Sequence, residues 1–358
     1  MSLSIYPPLG FSFIGERENN EDNQYPALAD ASEHDRLFLV CDGMGGGATG
    51  EVASQLVCDG IARFFSEYEF PIGKSQLGNH DEGENNTSFE QRFVQDAVAS
   101  VQQEMDAYIR ANPLSKGMGS TMSLLYLQHK HHVSSAIVAH IGDSRIYHVR
   151  DGKVLWQSED HKWVNEMVKK GILTPEEATD HPKHHVINRV VQAASQREAI
   201  ADVQELFDLK PDDYFFMCSD GVLETLTDEK LTEILNTPVS EEEKLAQIKA
   251  ICENKTDDNA SAYLIKIKTA EVATLDDEDV LATEVIHDDD TPINNPRQFT
   301  PEKKTTSQLG NILAMLIMGC LVGWFVYAKL INRPQPNSEM KVVGTTSQTT
   351  SLPKPPIK

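Results

Sequence analysis

The alternation of apolar and polar positions divides the first 268 residues into short strands and long helices. Apolar runs bounded by turn formers predict six strands, at residues 36–41, 133–140, 145–149, 153–157, 214–218 and 262–267. Apolar side chains at helical spacing predict two helices, at residues 51–68 and 89–111. Asp151-Gly152 is a hairpin signal between two of the strands. Because hairpins and long separate helices dominate, the pattern favours antiparallel sheets over a doubly wound parallel sheet.

The rest of the chain differs in composition. Residues 269–308 are rich in Asp, Glu, Thr and Pro, which predicts a disordered linker. Residues 309–328 carry no charge over a length that spans a bilayer as a helix, and Trp324 and Tyr327 lie near one end. The tail, residues 329–358, shows no fold signal. The sequence therefore predicts a folded domain at 1–268, a linker, one transmembrane helix and a tail.

The charge and the cysteine content of the chain indicate which binding partners and which cellular compartment are compatible with it. The formal net charge is -23, and residues 1–268 contain 24 Lys+Arg against 44 Asp+Glu. Such a negative surface repels nucleic acid, so we expect no nucleic-acid partner. The five cysteines show no C-x-x-C spacing, which is typical of a reducing compartment. No charged segment followed by an apolar run opens the chain, so we expect a single-pass membrane protein with residues 1–308 in the cytoplasm.

A glycine-rich turn follows the first predicted strand, in "CDGMGGGATGE" at residues 41–51. Gly45, Gly47 and Gly50 fit G-x-G-x-x-G, the fingerprint of a dinucleotide-binding loop. That fold requires a buried parallel strand after the helix, whereas this helix leads into the polar stretch 71–88. The turn also lacks the Lys-Ser/Thr pair of a P-loop. We therefore do not predict a nucleotide site.

Carboxylates stand at the ends of the predicted strands. The candidates are Asp42, Asp143, Asp220 and Asp258, with Arg17 and Asp22 further upstream in "GERENNED". A single Asp often only terminates a strand, but four of them with an arginine indicate shared chemistry. Hard divalent ions such as Mg²⁺ and Mn²⁺ prefer oxygen ligands. Two such ions can activate a water and stabilise a phosphoryl group during in-line attack.

The ordered motifs resemble one family. "GERENNED", "CDGMGGGATGE", "GMGSTM", "IGDSRIY", "SEDH", "CSDGVLETL" and "DDNASAYLI" are similar to the metal-dependent protein phosphatases (PPM, the type-2C serine/threonine phosphatases), especially compact bacterial members. The resemblance extends from about residue 10 to residue 268. It implies an α+β fold, a four-layer α-β-β-α sandwich of two antiparallel sheets flanked by helices. It also implies a binuclear Mn²⁺ or Mg²⁺ centre, with a third ion in bacterial relatives.

The resemblance assigns metal ligands position by position. Asp42 would bridge both ions, and the carbonyl of Gly43 would bind one of them. Asp220 and Asp258 would complete the shell of the other ion. Asp143, in "GDSR", matches the aspartate that supports the third ion in bacterial relatives.

Other positions would act around the metals, and one departs from the family pattern. Arg17 matches the residue that binds the substrate phosphate, while Asp22 and Glu21 would hold water on the ions. Some relatives carry a histidine, a candidate acid, where this chain has Met44. Either a metal-bound water or His161 in "EDH" would then protonate the leaving alcohol, and the sequence leaves both alternatives open.

The leading hypothesis is a membrane-tethered phosphatase that acts on phosphoproteins and reverses serine/threonine kinases, with a monomeric catalytic domain. One alternative is a non-catalytic, phosphoprotein-binding scaffold of the same fold, and another is hydrolysis of small phosphorylated molecules. Residues 169–189 correspond to the variable flap that touches protein substrates in the family. The histidine clusters, at residues 129–132 and 181–185, are interpreted as solvated side chains because neither has the cysteine partners of a structural zinc site.

Overall fold

The computed structural model describes residues 3–46, 48–68, 88–130, 133–253 and 255–271. These residues all belong to one compact unit. The predicted linker beyond residue 271, the predicted membrane helix at 309–328 and the tail lie outside the described residues. Among the described residues, no helix combines the length and apolar character needed to cross a bilayer.

Among the described residues, thirteen strands form two sheets, and every pairing between these strands is antiparallel. They are β1 (Ser4–Ile5), β2 (Leu9–Phe13), β3 (Asp22–Tyr25), β4 (Leu37–Met44), β5 (Gly119–Ser120), β6 (Met122–Lys130), β7 (Val133–Ile141), β8 (Arg145–Arg150), β9 (Lys153–Gln157), β10 (Val191–Gln192), β11 (Asp202–Leu206), β12 (Tyr214–Cys218) and β13 (Ala260–Thr269). The first sheet has the order β1-β13-β12-β8-β9, with β2 also on β13. The second has the order β10-β5-β4-β6-β7-β11, with β3 also on β4.

The described residues form seven helices, four of which cover the outer faces of the two sheets. The seven are α1 (Ala48–Glu67), α2 (Phe89–Ala111), α3 (Trp163–Lys169), α4 (Pro175–Thr179), α5 (Asp220–Leu223), α6 (Asp228–Leu235) and α7 (Glu241–Cys252), and a 3₁₀ turn lies at Pro113–Ser115. The first two helices pack on the second sheet, and α6 and α7 pack on the first. A third apolar cluster, between the sheets, includes Phe38, Phe215 and Tyr263.

Strand β4 shows why the central strands are apolar without alternation. Leu39 and Cys41 face α1 and α2, whereas Phe38 and Val40 face the other sheet. Successive side chains point to opposite faces of a strand, and here both faces are buried. The central sandwich flanked by helices therefore confirms the predicted arrangement of layers.

The predicted elements agree with the structure apart from their ends. Helix α1 begins at Ala48 rather than residue 51, and in its first turn the Thr49 hydroxyl donates to the Gly46 carbonyl at 3.0 Å. Strand β13 ends at Thr269, one residue beyond the predicted domain end, and its hydroxyl contacts that of Ser4 at 2.7 Å. Strand β6 was not predicted, although it is the long central neighbour of β4 and β7.

Candidate metal centre

Asp42 is fixed by strand pairing on both sides. In the β3–β4 ladder it lies directly opposite Asp22, so two candidate carboxylates share one position in the sheet. On its other side, the Asp42 amide donates to the Thr121 hydroxyl at 2.8 Å, and the Thr121 amide donates to the Asp42 carbonyl at 2.8 Å. The Thr121 hydroxyl also contacts the Ser144 hydroxyl at 2.7 Å. The backbone at Asp42 is therefore held in place from two directions.

The glycines after Asp42 allow α1 to approach the strand closely. The Gly43 amide donates to the Glu21 carbonyl at 3.1 Å. A Cβ at Gly43 would overlap the Gly50 carbonyl oxygen and lie 2.7 Å from that of Glu21. Gly45 and Gly46 have φ values of 143° and 82°, a region that favours glycine. These residues turn the chain sharply directly after Asp42.

Three carboxylates converge at the end of the sandwich. One oxygen from each of Asp42, Asp143 and Asp220 lies within 4.8 Å of the others. Asp143 follows Gly142 in the turn between β7 and β8, and Asp220 begins α5 directly after β12. Within the described chain, one oxygen each of Asp143, Asp220 and Asp22 is buried without a hydrogen-bond partner. Buried oxygens without partners are strongly disfavoured, so this arrangement fits a bound cation.

The same carboxylates resist ionisation in the absence of a cation. Burial raises the pKa of Asp220 to about 7, and the charges of Asp143 and Asp258 add to the effect. Burial also raises the pKa of Asp22 to about 6, although the Ser219 hydroxyl, which donates to it at 2.7 Å, opposes the shift. The pKa of Asp42 is raised well above its usual range, first by burial and then by Asp220. A divalent ion would reverse this situation by favouring the charged forms.

Arg17 and Asp258 form the exposed edge of the site. A guanidinium nitrogen of Arg17 lies 2.6 Å from Asp258 Oδ2, with the two side chains 58% and 27% exposed. This hydrogen bond raises the pKa of Arg17 above its ordinary value. Asp258 is thus paired with Arg17 rather than grouped with the three converging carboxylates. The pair places a guanidinium at the solvent side of the carboxylate cluster.

His161 does not point at the carboxylates as a leaving-group acid would. Its Nδ1 accepts the Gly142 amide at 3.0 Å, and its Nε2 lies 3.1 Å from Asp202 Oδ2. Its own amide donates to the Gly142 carbonyl at 2.8 Å. Both ring nitrogens are therefore engaged, which argues against the hypothesis that His161 is the acid. Instead, His161 holds the turn that carries Asp143.

His161 also belongs to a second group of possible metal ligands, together with His140 and Asp202. His140, His161 and Asp202 have ligand atoms within 4.8 Å of one another, and the two imidazoles stack at 4.6 Å. However, Arg189 Nη1 lies 2.8 Å from Asp202 Oδ1. The pKa of Asp202 is lowered by the hydrogen bond with His161 and by the charge of Arg189. Arg189 thus already supplies a positive charge to this group.

The sequence analysis gave no role to Lys162 or to Asp160, although Asp160 lies in the motif "SEDH". Lys162 Nζ lies 3.3 Å from Asp143 Oδ2 and 3.4 Å from Asp160 Oδ2. Asp160 accepts two hydrogen bonds from Arg145, at 2.6 and 2.9 Å. Burial raises the pKa of Asp143, and the Lys162 charge opposes that shift. No spacing rule connects these residues, because they meet only through the β7–β8 turn and the chain after β9.

Comparisons with known proteins agree with this geometry. The family model described as "Protein phosphatase 2C" matches residues 10–253. A "Putative protein phosphatase 2C-type" from Streptococcus pyogenes is 32% identical over 246 residues, which cover 68% of this chain and 88% of that protein. The serine/threonine protein phosphatase PstP of Mycobacterium tuberculosis is 30% identical over 222 residues, or 62% of this chain but only 37% of PstP.

Solved structures show the same fold. The crystal structure of Mycobacterium tuberculosis PstP/Ppp superposes with a TM-score of 0.58 and 27% identity, covering 74% of this chain and 99% of that one. The PstP catalytic domain in complex with two manganese ions superposes with a TM-score of 0.57 and 27% identity, covering 75% and 100% of the two chains. The chain therefore belongs to the protein phosphatase 2C family, the metal-dependent serine/threonine protein phosphatases that hydrolyse phosphoric monoesters.

Proposed function

We propose that this chain is a membrane-tethered phosphatase that removes phosphate from phosphoserine and phosphothreonine in proteins, reversing the action of serine/threonine kinases. The observation that carries the catalytic part is the convergence of Asp42, Asp143 and Asp220, two of which have buried oxygens without partners. Such oxygens fit Mn²⁺ or Mg²⁺, which are oxygen-seeking ions. Gly43 and Asp258 are proposed as further ligands through a carbonyl and a carboxylate.

The ions, when bound, supply a water activated near neutral pH and positive charge for the phosphoryl group. The protein supplies positioning. Asp22 lies opposite Asp42 and is oriented by the Ser219 hydroxyl, so it can hold water beside the ligands. Arg17 presents a planar guanidinium at the exposed edge, which suits bidentate contact with phosphate oxygens. His161 and Lys162 hold the Asp143 turn and its carboxylate.

The catalytic proposal is tested with the full chain, purified in detergent, on a phosphothreonine peptide. We expect release of phosphate with Mn²⁺, none with EDTA, and a large loss in Asp220→Asn. Asp59→Asn, an exposed substitution on α1, is the matched control. A wild-type protein that binds the peptide without hydrolysing it in Mn²⁺ would support the scaffold alternative. Activity that survives both EDTA and Asp220→Asn would exclude the metal mechanism.

The membrane tether rests on the uncharged stretch at 309–328, long enough to span a bilayer. We propose that residues 1–268 form the catalytic domain, 269–308 a linker and 329–358 an exported tail. Fractionation compares the full chain with a chain ending at residue 300. The full chain should pellet with membranes, resist extraction by alkaline carbonate and dissolve in detergent, while the shorter chain stays soluble. If both remain in the soluble fraction, the tether is wrong.

A further inference from the structure

A cleft of about 560 Å³ opens from the catalytic carboxylates. Asp143 and Asp220 line its inner end, and each has a buried oxygen without a partner. The volume lies within the range of about 300–1,000 Å³ that is usual for binding clefts. A phosphate placed at the inner end would therefore leave the neighbouring residues of its protein in this cleft.

The outer part of the cleft carries a surplus of negative charge. Glu224, Asp228 and Glu229 line it, in the segment that leads from α5 into α6. We call these three residues the acidic rim. Glu224 and Glu229 are exposed, and Asp228 is partly exposed. All three carboxylates can therefore meet a ligand that enters from solvent.

Arg145 and Lys162 also line the cleft, but both side chains already form closer contacts with Asp160 or Asp143, outside the acidic rim. Arg145 makes its two short hydrogen bonds to Asp160 and approaches Asp228 only to 3.7 Å. Lys162 lies between Asp143 and Asp160. The positive charges of Arg145 and Lys162 therefore neutralise Asp160 and Asp143 more than they neutralise the acidic rim.

The rim carboxylates accept some hydrogen bonds from the protein, but these come from neutral donors. Asp228 accepts the Tyr147 hydroxyl at 2.9 Å, and Glu224 accepts the Asp257 amide at 2.9 Å. Hydrogen bonds from its own backbone amide and from the Thr227 side chain lower the pKa of Glu229, which favours its charged form. The rim therefore remains negative, and it complements positive charge.

We propose that the acidic rim binds lysine or arginine residues that flank the phosphorylated residue, so that the enzyme prefers phosphoproteins with basic sequences around the site. This inference rests on the proposed function and adds a substrate class to it. Exposed charges act mainly on encounter and selectivity, and salt screens them. The preference should thus appear in kcat/KM and weaken as ionic strength rises.

The test uses the full chain in detergent with Mn²⁺ and three matched phosphothreonine peptides, which carry Lys, Gln or Glu at two positions on each side of the phosphate. We expect kcat/KM to fall in the order Lys, Gln, Glu at low salt. Each step should be about threefold, the size expected for one or two exposed ion pairs. The order should flatten in 0.5 M NaCl, where the Debye length is only about 4 Å.

The decisive comparison is between two charge reversals at equivalent helix positions. Glu229 and Glu242 are each the second residue of a helix, in α6 and α7, and both are exposed. Glu229→Lys should remove or invert the preference for the Lys peptide, and Glu229→Gln should reduce it. Glu242→Lys should keep it, because Glu242 does not line the cleft.

Three results would overturn the inference. The first is equal kcat/KM for the three peptides with the wild-type enzyme. The second is an equal change of the Lys/Glu ratio in Glu229→Lys and Glu242→Lys, with both variants folded by circular dichroism. The third is failure of the wild-type enzyme to hydrolyse any peptide, which would also refute the proposed function. The first two results leave hydrolysis intact, so the two failures are distinguishable.

Discussion

Replacing Asp220 with Asn should stabilise the metal-free enzyme at alkaline pH. Burial raises the pKa of Asp220 from 3.8 to about 7. The folded state therefore binds this proton more tightly than the unfolded state between about pH 4 and pH 7. The stability that this group contributes is complete below pH 4 and is lost as pH rises through 7. At pH 8 the metal-free protein carries a buried charge that disfavours folding.

The size of the effect follows from the shift. About three pKa units at 1.36 kcal/mol each give an upper value of about 4 kcal/mol at pH 8. Relaxation of the site and entry of water reduce it, so we expect Asp220→Asn to raise the free energy of unfolding by about 2–4 kcal/mol. Near pH 4.5 the folded wild type is mostly protonated at this position and the unfolded chain is mostly ionised, so the stability difference between the two proteins should shrink to about 1 kcal/mol. Asp22 and Asp42 remain in the variant, so some pH dependence persists.

The assay is urea unfolding in EDTA at pH 4.5 and pH 8, followed by circular dichroism on the chain truncated after residue 271. Asp59→Asn is the control, since it removes an exposed carboxylate far from the cluster in sequence. With added Mn²⁺ the wild type should become more stable than Asp220→Asn, because only the intact carboxylate set gains stability by binding the ion. The reasoning is refuted if Asp220→Asn is no more stable than wild type at pH 8 in EDTA.

Substitutions at Gly43, His161 and Arg17, with Gly46→Ala and His161→Asn as comparisons, test the geometry of the site. Gly43→Ala should lose at least about 3 kcal/mol in urea unfolding, because its Cβ would overlap a backbone oxygen, whereas Gly46→Ala, with nothing within 4 Å, should lose about 1 kcal/mol. His161→Ala should weaken Mn²⁺ binding by calorimetry about 10–100-fold, and His161→Asn should restore part of it because an amide oxygen can accept the Gly142 amide. Unchanged affinity in both would contradict the positioning role. Arg17→Lys should raise KM for a phosphopeptide about tenfold and change kcat less, since a bidentate contact is lost; an unchanged KM would place the phosphate elsewhere.

The spacing of apolar residues along the chain was sufficient to predict the two long helices and several strands. The helices over 51–68 and 89–111 appear as α1 and α2, because their apolar faces repeat at helical spacing. Strands β8 and β9 were predicted from the apolar runs on either side of Asp151-Gly152. Strand β6 was missed because no Gly, Pro, Asn or Asp separates it from β7 in the sequence, so no turn signal marks where it ends.

The chemistry of the site was also readable from the strand ends. Asp143 and Asp220 follow the ends of β7 and β12, Asp42 lies near the end of β4, and the structure brings these three together. The run of apolar residues shows which part of a strand is buried. A carboxylate that comes after this run therefore lies near the end of the strand. The sequence did not separate Asp258 from this group, although in the structure it is paired with Arg17.

By itself, the sequence determined the two long helices and six of the strands, the excess of negative charge and the carboxylates that could serve a divalent ion. Only the tertiary structure decided that Arg17 meets Asp258, 241 positions away. It also decided that His161 accepts a hydrogen bond from the Gly142 amide rather than facing the carboxylates. It also revealed the acidic rim beside Asp220. The physical reason is that these contacts depend on sheet register and on how two sheets pack, and neither is encoded in the spacing of neighbouring residues.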